Sequence, residues 1–274
     1  MIILCLVVLG LVMGSFASAY VWRLRKRETA RGSKVAAKYT MSRGRSMCPH
    51  CQHRLFAKDL VPLLSWLSLA GKCRYCQSSI GAQYPLTELV VSLLFVTSYL
   101  FWPFGFTPIG WGLFVLWLVL VEIGVILAVY DMRWTELPFR IVRPFTAVTV
   151  VFVGVRAYVQ ADFWSIGYAL LAAAILFGLF WAIHVGSKGE WIGGGDVVLA
   201  PALGLLAGTP LVVLLLLFIA SFCGVIVALP GVLARHRSLV SKIPFGPFLL
   251  IATWVVVLWG ERLITWYQNT LLLS

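Results

Sequence analysis

The sequence predicts an all-α polytopic membrane protein of about eight transmembrane helices, with a cysteine-rich loop domain after the first helix. Three observations carry that prediction. The 274-residue chain is 61% hydrophobic and 12% charged, with a mean hydropathy of +0.95. Several apolar segments approach or exceed the ~18 residues that cross a hydrocarbon layer about 30 Å thick. The cations fall in alternate connections between those segments.

The expected spans are 1–22, 86–102, 111–131, 143–159, 165–185, 196–208, 211–230 and 245–264. The sixth is short and fits a tilted or half-buried helix. Proline punctuates the connections: Trp102-Pro103, Thr107-Pro108, Leu137-Pro138, Thr209-Pro210 and Leu229-Pro230. Pro85 suits a helix start, where its missing N–H is not needed. Trp22, Trp102, Trp111 and Trp164 stand near span ends, as interfacial tryptophans do. The reading divides the chain into a first helix (1–22), a loop domain (23–85) and a helical bundle (86–274).

The formal charge of +12 does not mark a nucleic-acid binder, because its distribution follows the membrane. Thirteen of the 22 Lys and Arg residues lie in 23–85, three in 132–143, one in 186–195 and three in 231–244. The opposite connections receive two, Arg156 and Arg262. Positive-inside bias places the basic loops in the cytoplasm and the N-terminus outside. The basic run Arg23-Leu24-Arg25-Lys26-Arg27 reads as a topology anchor beside membrane lipid. No cation precedes Arg23, so the N-terminus reads as a retained helix rather than a cleaved signal.

Four of the six cysteines form two knuckles, Cys48-Pro49-His50-Cys51 and Cys73-Arg74-Tyr75-Cys76. Each Cys-x-x-Cys can turn two thiolates to one centre, and together they complete the tetrahedral four-sulfur set of structural Zn²⁺. With no open coordination position the metal would fold the loop rather than catalyse. Paired disulfides, a redox role, an iron–sulfur cluster and substitution of a ligand by His50 or His53 are the alternatives. Cys5 and Cys223, inside apolar spans, read as packing residues.

Asp131 ends one apolar run, and Asp196 follows Gly193-Gly194-Gly195 at the start of another. Two spans separate them, so both fall at the same membrane face, and the cysteine loop joins them there by the same count. Two adjacent carboxylates in low dielectric cannot both ionise easily and share a proton. That is the working state of aspartic proteases, one carboxylate activating water while the other donates to the scissile carbonyl. Gly193, Gly194 and Gly195 offer a bare backbone that a substrate strand can approach. The bland alternatives are an interfacial Asp131 paired with Arg133 and an Asp196 that caps a helix. Glu122 lies nine residues before Asp131, on the opposite helical face and about 13 Å deeper. Glu136 and Glu190 read as solvated loop residues, and His184 as an interfacial histidine.

In combination these residues resemble the type IV prepilin peptidases, the G-x-G-D leader peptidase/N-methyltransferases of pilus and type II secretion systems. The resemblance runs through Gly14-Ser15-Phe16, both knuckles, Asp59-Leu60-Val61-Pro62 and Leu64-Ser65-Trp66. It continues through Gly71-Lys72-Cys73-Arg74, Tyr84-Pro85-Leu86 with Glu88-Leu89, Asp131 with Leu137-Pro138, Asp196, and Ile243-Pro244-Phe245-Gly246-Pro247-Phe248. The chain departs from the family pattern at Ser18, usually Asn, at Phe139-Arg140, where an acidic residue usually follows Leu-Pro, and at Trp191-Ile192.

The resemblance implies an inner-membrane aspartic endopeptidase with Asp131 and Asp196 as its dyad. Its substrate would be a prepilin or pseudopilin, cleaved after a glycine between a basic leader and a hydrophobic helix. It also implies N-methylation of the new amine with S-adenosylmethionine, an activity associated with the cysteine loop, to which Asp59 and Glu88 are candidate contributors. Two readings compete. One is a methyltransferase with a vestigial dyad. The other is a transporter with a zinc-stabilised module and proton sites at Glu122, Asp131 and Asp196, disfavoured because the aspartates share a face and no internal repeat is visible.

Overall fold

The computed structural model of the chain describes residues 1–30, 39–40, 46–233 and 244–272. Arg31, Lys34, Lys38, Arg43 and Arg45, with Arg235, Arg237, Lys242 and Ile243, lie outside the described residues. The described chain is helical: α1 (Ile2–Thr29), α2 (Leu64–Ser68), α3 (Gln83–Leu100), α4 (Pro108–Trp134), α5 (Phe139–Gln160), α6 (Trp164–Gly186), α7 (Gly194–Ala207), α8 (Pro210–Leu233) and α9 (Gly246–Tyr267). Each apolar segment expected from the sequence is one of these helices. Among the described residues, six (α1, α4, α5, α6, α8 and α9) are long and apolar enough to cross a membrane. The other two expected spans fall short: α3 carries Gln83, Tyr84, Pro85 and Glu88 in its first turns, and α7 has only 14 residues.

Local chemistry sets the helix ends. Thr107 caps α4, its Oγ1 accepting the Gly110 N–H at 3.0 Å, with Pro108 in the first turn. α4 stops at Thr135, which takes a left-handed φ of 52°. Pro138 then precedes α5, and Gly208 (φ 81°) ends α7 before Thr209-Pro210 opens α8.

The chain divides into two compact units, Met1–Leu100 and Phe101–Ser274. α3 packs on α1 and lies within the first of them. In the first unit α1 and α3 touch backbone to backbone through Gly10 and Gly14. A Cβ on Gly14 would lie 2.5 Å from the Glu88 Cα, and one on Gly10 would strike the Ser92 Cα. This is the small-x-x-x-small device by which membrane helices approach closely. Ser92 reinforces it, its Oγ donating to the Val7 carbonyl at 3.3 Å.

In the second unit α7 is the internal element, packing against α5, α6, α8 and α9. Its apolar face includes Leu199, Ala200, Ala202 and Leu203, all fully buried. Gly204 lets α6 press against it, since a Cβ there would meet the Ala173 Cα at 2.5 Å. Arg156 of α5, buried despite its charge, donates from Nη1 to the Leu206 carbonyl at 3.3 Å and satisfies the last turn of α7. One of the two cations expected in the outer connections is thus a buried helix cap.

Gly14→Val places branched carbons where the α3 backbone runs. It is expected to lower the thermal unfolding temperature of the purified protein, by an overpacking cost of about 1–3 kcal/mol. Gly112→Val, with nothing within 4 Å of its Cβ position, is the control expected to leave that temperature unchanged.

Candidate active site and cysteine cluster

Asp131 lies in the last turn of α4 and is buried, 5% exposed. Asp196 is the third residue of α7, where its carboxylate reaches back to the N–H of Gly193, the residue that caps the helix. Asp196 is therefore placed as a helix-start aspartate. Its Oδ1 is buried and has no hydrogen-bond partner among the described residues.

The two carboxylates meet at the start of α9. The Gly246 N–H donates to Asp131. A Cβ built on Gly246 would lie 2.7 Å from Asp131 Oδ2 and 3.6 Å from Asp196 Oδ1. Both oxygens thus border one point in space, and they stand no farther apart than those two distances together. The sequence brought these aspartates to one face. The fold brings them to one site, with Gly246 as the third member.

The three glycines before Asp196 have separate neighbours. A Cβ on Gly195 would meet the Leu137 Cβ at 2.9 Å, so the segment after Asp131 touches the segment that presents Asp196. Gly194 lies against the His184 ring, and Gly193 against Asp196 Oδ2. Gly195 is thus the glycine that packing requires, while Gly193 and Gly194 are exposed and make only ordinary contacts.

His184, read from sequence as interfacial, packs against the aspartate-bearing turn. Its Nδ1 lies 2.7 Å from the Ile192 carbonyl, and its ring packs against Gly189 and Gly194. Neither His184 nor Gly246 carried a sequence signal of its own. Gly246 belonged to a recognisable motif without a role, and His184 stands 12 residues from Asp196 across an irregular loop. Glu122 is buried, and neither carboxylate oxygen has a partner among the described residues.

In the first unit the four cysteines gather as their spacing predicts. The Sγ atoms of Cys48, Cys51, Cys73 and Cys76 lie within 4.8 Å of one another, and none is in a disulfide. Cys48 and Cys76 stand 3.8 Å apart, close to the edge of a sulfur tetrahedron built on metal–sulfur bonds of about 2.3 Å. The cluster can hold a metal ion.

The two knuckles are copies of one turn. Gln52 N–H donates to the Cys48 carbonyl and Gln77 N–H to the Cys73 carbonyl, both at 3.0 Å. Both glutamines take positive φ, 57° and 56°. The local repeat Cys-x-x-Cys-Gln was missed at the sequence level because it spans only five residues. His53 stacks on Tyr75 at 3.7 Å between ring centroids, tying the first knuckle to the second. It lies outside the ligand set.

Asp59 and Glu88 are committed to this framework. The Asp59 side chain, 3% exposed, accepts from Arg74 Nε at 2.8 Å, Tyr75 Oη at 2.9 Å and the Phe56 N–H at 3.1 Å. Burial works against its ionisation, but the bonds from Arg74, Phe56 and Tyr75 outweigh it and hold the carboxyl below the usual range. Glu88 accepts the Leu63 N–H at 2.7 Å and a bond from Ser15. It thereby fastens the loop at α2 to both α1 and α3. Leu63 sits at φ 58° and ψ −52°, the centre of a tight turn closed by the Leu64 N–H on the Pro62 carbonyl at 2.6 Å, and the Glu88 bond helps to hold it.

The fold and site together define a polytopic membrane protein with a paired-aspartate centre and a four-cysteine module, and comparison with known proteins places it. Residues 8–102 match the Bacterial Peptidase A24 N-terminal domain, a stretch that holds all four clustered cysteines. Residues 113–229 match the Type IV leader peptidase family and include both aspartates. The chain is 36% identical over 235 residues to a prepilin leader peptidase/N-methyltransferase of Aeromonas salmonicida, covering 86% of this chain and 78% of that one. It is 32% identical over 282 residues to the corresponding protein of Pseudomonas aeruginosa, covering 97% and 93%. A type 4 prepilin-like proteins leader peptide-processing enzyme of Escherichia coli is 33% identical over 247 residues, covering 88% and 87%. No solved structure matches. The chain belongs to the type IV leader peptidase family.

Two expectations follow from the geometry. Gly246→Ala pushes a methyl group onto Asp131 Oδ2 and is expected to cut the family's leader-removing activity by about 10²-fold, with the protein still eluting as a single folded species. Acidification is expected to release the Asp59 clamp. Because its folded-state pKa is depressed, its contribution is present above the unfolded pKa and lost as pH falls through the folded one. Asp59→Ala should therefore make the four-cysteine module lose metal to a chelator faster at neutral pH and in mild acid alike, because the native carboxylate stays ionised until pH falls below the ordinary carboxylate range.

Proposed function

We propose that this chain is an aspartic endopeptidase of the bacterial inner membrane. It removes the basic leader of prepilins or pseudopilins and methylates the new N-terminal amine with S-adenosylmethionine. The observation that carries the proposal is the approach of Asp131 and Asp196 to one point beside Gly246. Charge counting supports a cytoplasmic site and cysteine module with an outside N-terminus. There a soluble leader meets the hydrophobic segment that follows it.

Hydrolysis needs one proton between the two carboxylates. The ionised one takes a proton from water as the water oxygen bonds to the scissile carbonyl carbon, and the protonated one donates to the carbonyl oxygen. Collapse re-forms the carbonyl as the now-ionised second carboxylate takes back a hydroxyl proton, and breaks the C–N bond as the first gives its proton to the leaving amine. Asp196 Oδ1 borders the same point beside Gly246 as Asp131 Oδ2 and has no hydrogen-bond partner among the described residues. Gly246 fixes Asp131 through its N–H and leaves room because it has no side chain.

The cysteine cluster would hold Zn²⁺ through Cys48, Cys51, Cys73 and Cys76, and the ion would supply folding energy to the module. The bound methyl donor would supply a methyl group to the amine that cleavage exposes. Asp59 and Glu88, the acidic residues expected to contribute, are occupied by protein donors and act here as scaffold. No step is assigned to them.

The test is incubation of the purified protein with a precursor pilin and labelled S-adenosylmethionine, followed by mass measurement of the product. Loss of the leader and gain of one methyl group are expected from the native chain, and neither from Asp131→Asn or Asp196→Asn. Leader removal by either variant at the native rate would overturn the assignment. Metal analysis should find zinc in the native chain and lose it in Cys48→Ser/Cys51→Ser.

A further inference from the structure

We infer that His184 is a positioning residue for Asp196: its imidazole pins the carbonyl of Ile192 and so fixes the first turn of α7. The inference rests on the proposed catalytic role of Asp196. Three contacts meet at this ring. Nδ1 lies 2.7 Å from the Ile192 carbonyl oxygen, which can only accept, so Nδ1 carries the proton. The ring sits in a slot between two glycines. A Cβ on Gly189 would stand 3.2 Å from Cε1, and one on Gly194 would stand 3.7 Å from it.

Gly189 turns at φ 81° and its N–H donates to the His184 carbonyl at 2.8 Å, so the chain folds back over the histidine that it then bonds. Ser187 adds a second tie, its Oγ accepting the Trp191 N–H at 3.3 Å.

The consequence runs through Gly193. Ile192 is the residue before this cap, and the Gly193 carbonyl accepts the Asp196 N–H at 3.1 Å and the Val197 N–H at 3.4 Å. The Gly193 N–H in turn holds the Asp196 carboxylate. Three successive glycines have little intrinsic preference for one backbone conformation. The direction of Asp196 Oδ1 therefore needs an external anchor just ahead of them, and the His184–Ile192 bond is placed to be that anchor. A misplacement of about 1 Å at a reacting group is enough to cost on the order of 10² in rate.

The experiment compares His184→Ala, His184→Asn and His184→Gln in leader removal by the full-length purified protein, with hydrogen exchange of the segment 187–200. Asparagine keeps an N–H donor at the place of Nδ1, whereas glutamine carries it one bond farther. His184→Ala is expected to lower kcat by about 10- to 100-fold with KM within about threefold. His184→Asn should recover most of that loss and His184→Gln should not. Exchange at 193–197 should rise in the alanine variant and return toward native in the asparagine variant.

An alanine variant with native kcat, an effect confined to KM, or an asparagine variant no better than alanine would each overturn the inference. If His184→Ala does not fold, the asparagine–glutamine difference decides alone. Active Asp131→Asn or Asp196→Asn would sink the site reading itself. Inactive aspartate variants beside a fully active His184→Ala would sink only the positioning role.

Discussion

The structure of the second unit turns on one steric constraint. A Cβ on Gly246 would press on Asp131 Oδ2 at 2.7 Å while touching Asp196 Oδ1 at 3.6 Å, so a side chain there would have to displace the Asp131 carboxylate. Bringing two acids together inside an apolar bundle opposes folding, because desolvation and mutual repulsion both act against it. The fold offsets that cost locally. Asp196 sits at the favourable N-terminal end of α7 and takes the Gly193 N–H. Asp131 sits at the unfavourable C-terminal end of α4, and the N-terminus of α9 is brought against it to supply the Gly246 N–H. Three helix ends from distant parts of the chain are therefore needed to build one site.

That requirement explains the position of α7. It is too short to cross a membrane alone, yet it packs against four neighbours and is capped at its far end by the buried Arg156. Gly204 against Ala173 and Gly195 against Leu137 are the close approaches that set its place. A helix so held can carry a carboxylate whose Oδ1 has no partner among the described residues. Such an oxygen is a liability for stability and a resource for chemistry.

Much of this was legible in the sequence. Hydropathy and proline placement located every long helix, because each is apolar and abruptly terminated. The Cys-x-x-Cys spacing located the four-sulfur cluster, since the knuckle is a local turn that needs no tertiary information. Span counting placed Asp131 and Asp196 on one face. It could not bring them together, because pairing depends on α9 reaching Asp131 across more than 100 residues of sequence. The roles of the glycines were legible only in part: Gly10 and Gly14 follow a known packing spacing, but Gly195 and Gly246 are glycine because of residues far away in the chain. Asp59 and Glu88 looked like candidates for chemistry, yet their partners, Tyr75 and Leu63 among them, make them framework.

The central claim is that Asp131 and Asp196 act as a unit. It is tested most directly by the residual leader-removal rates of Asp131→Asn, Asp196→Asn and the double variant under single-turnover conditions. Groups that act together are non-additive, so the double variant should be no slower than the slower single variant. If the two losses multiply instead, the carboxylates act independently and the shared site is wrong.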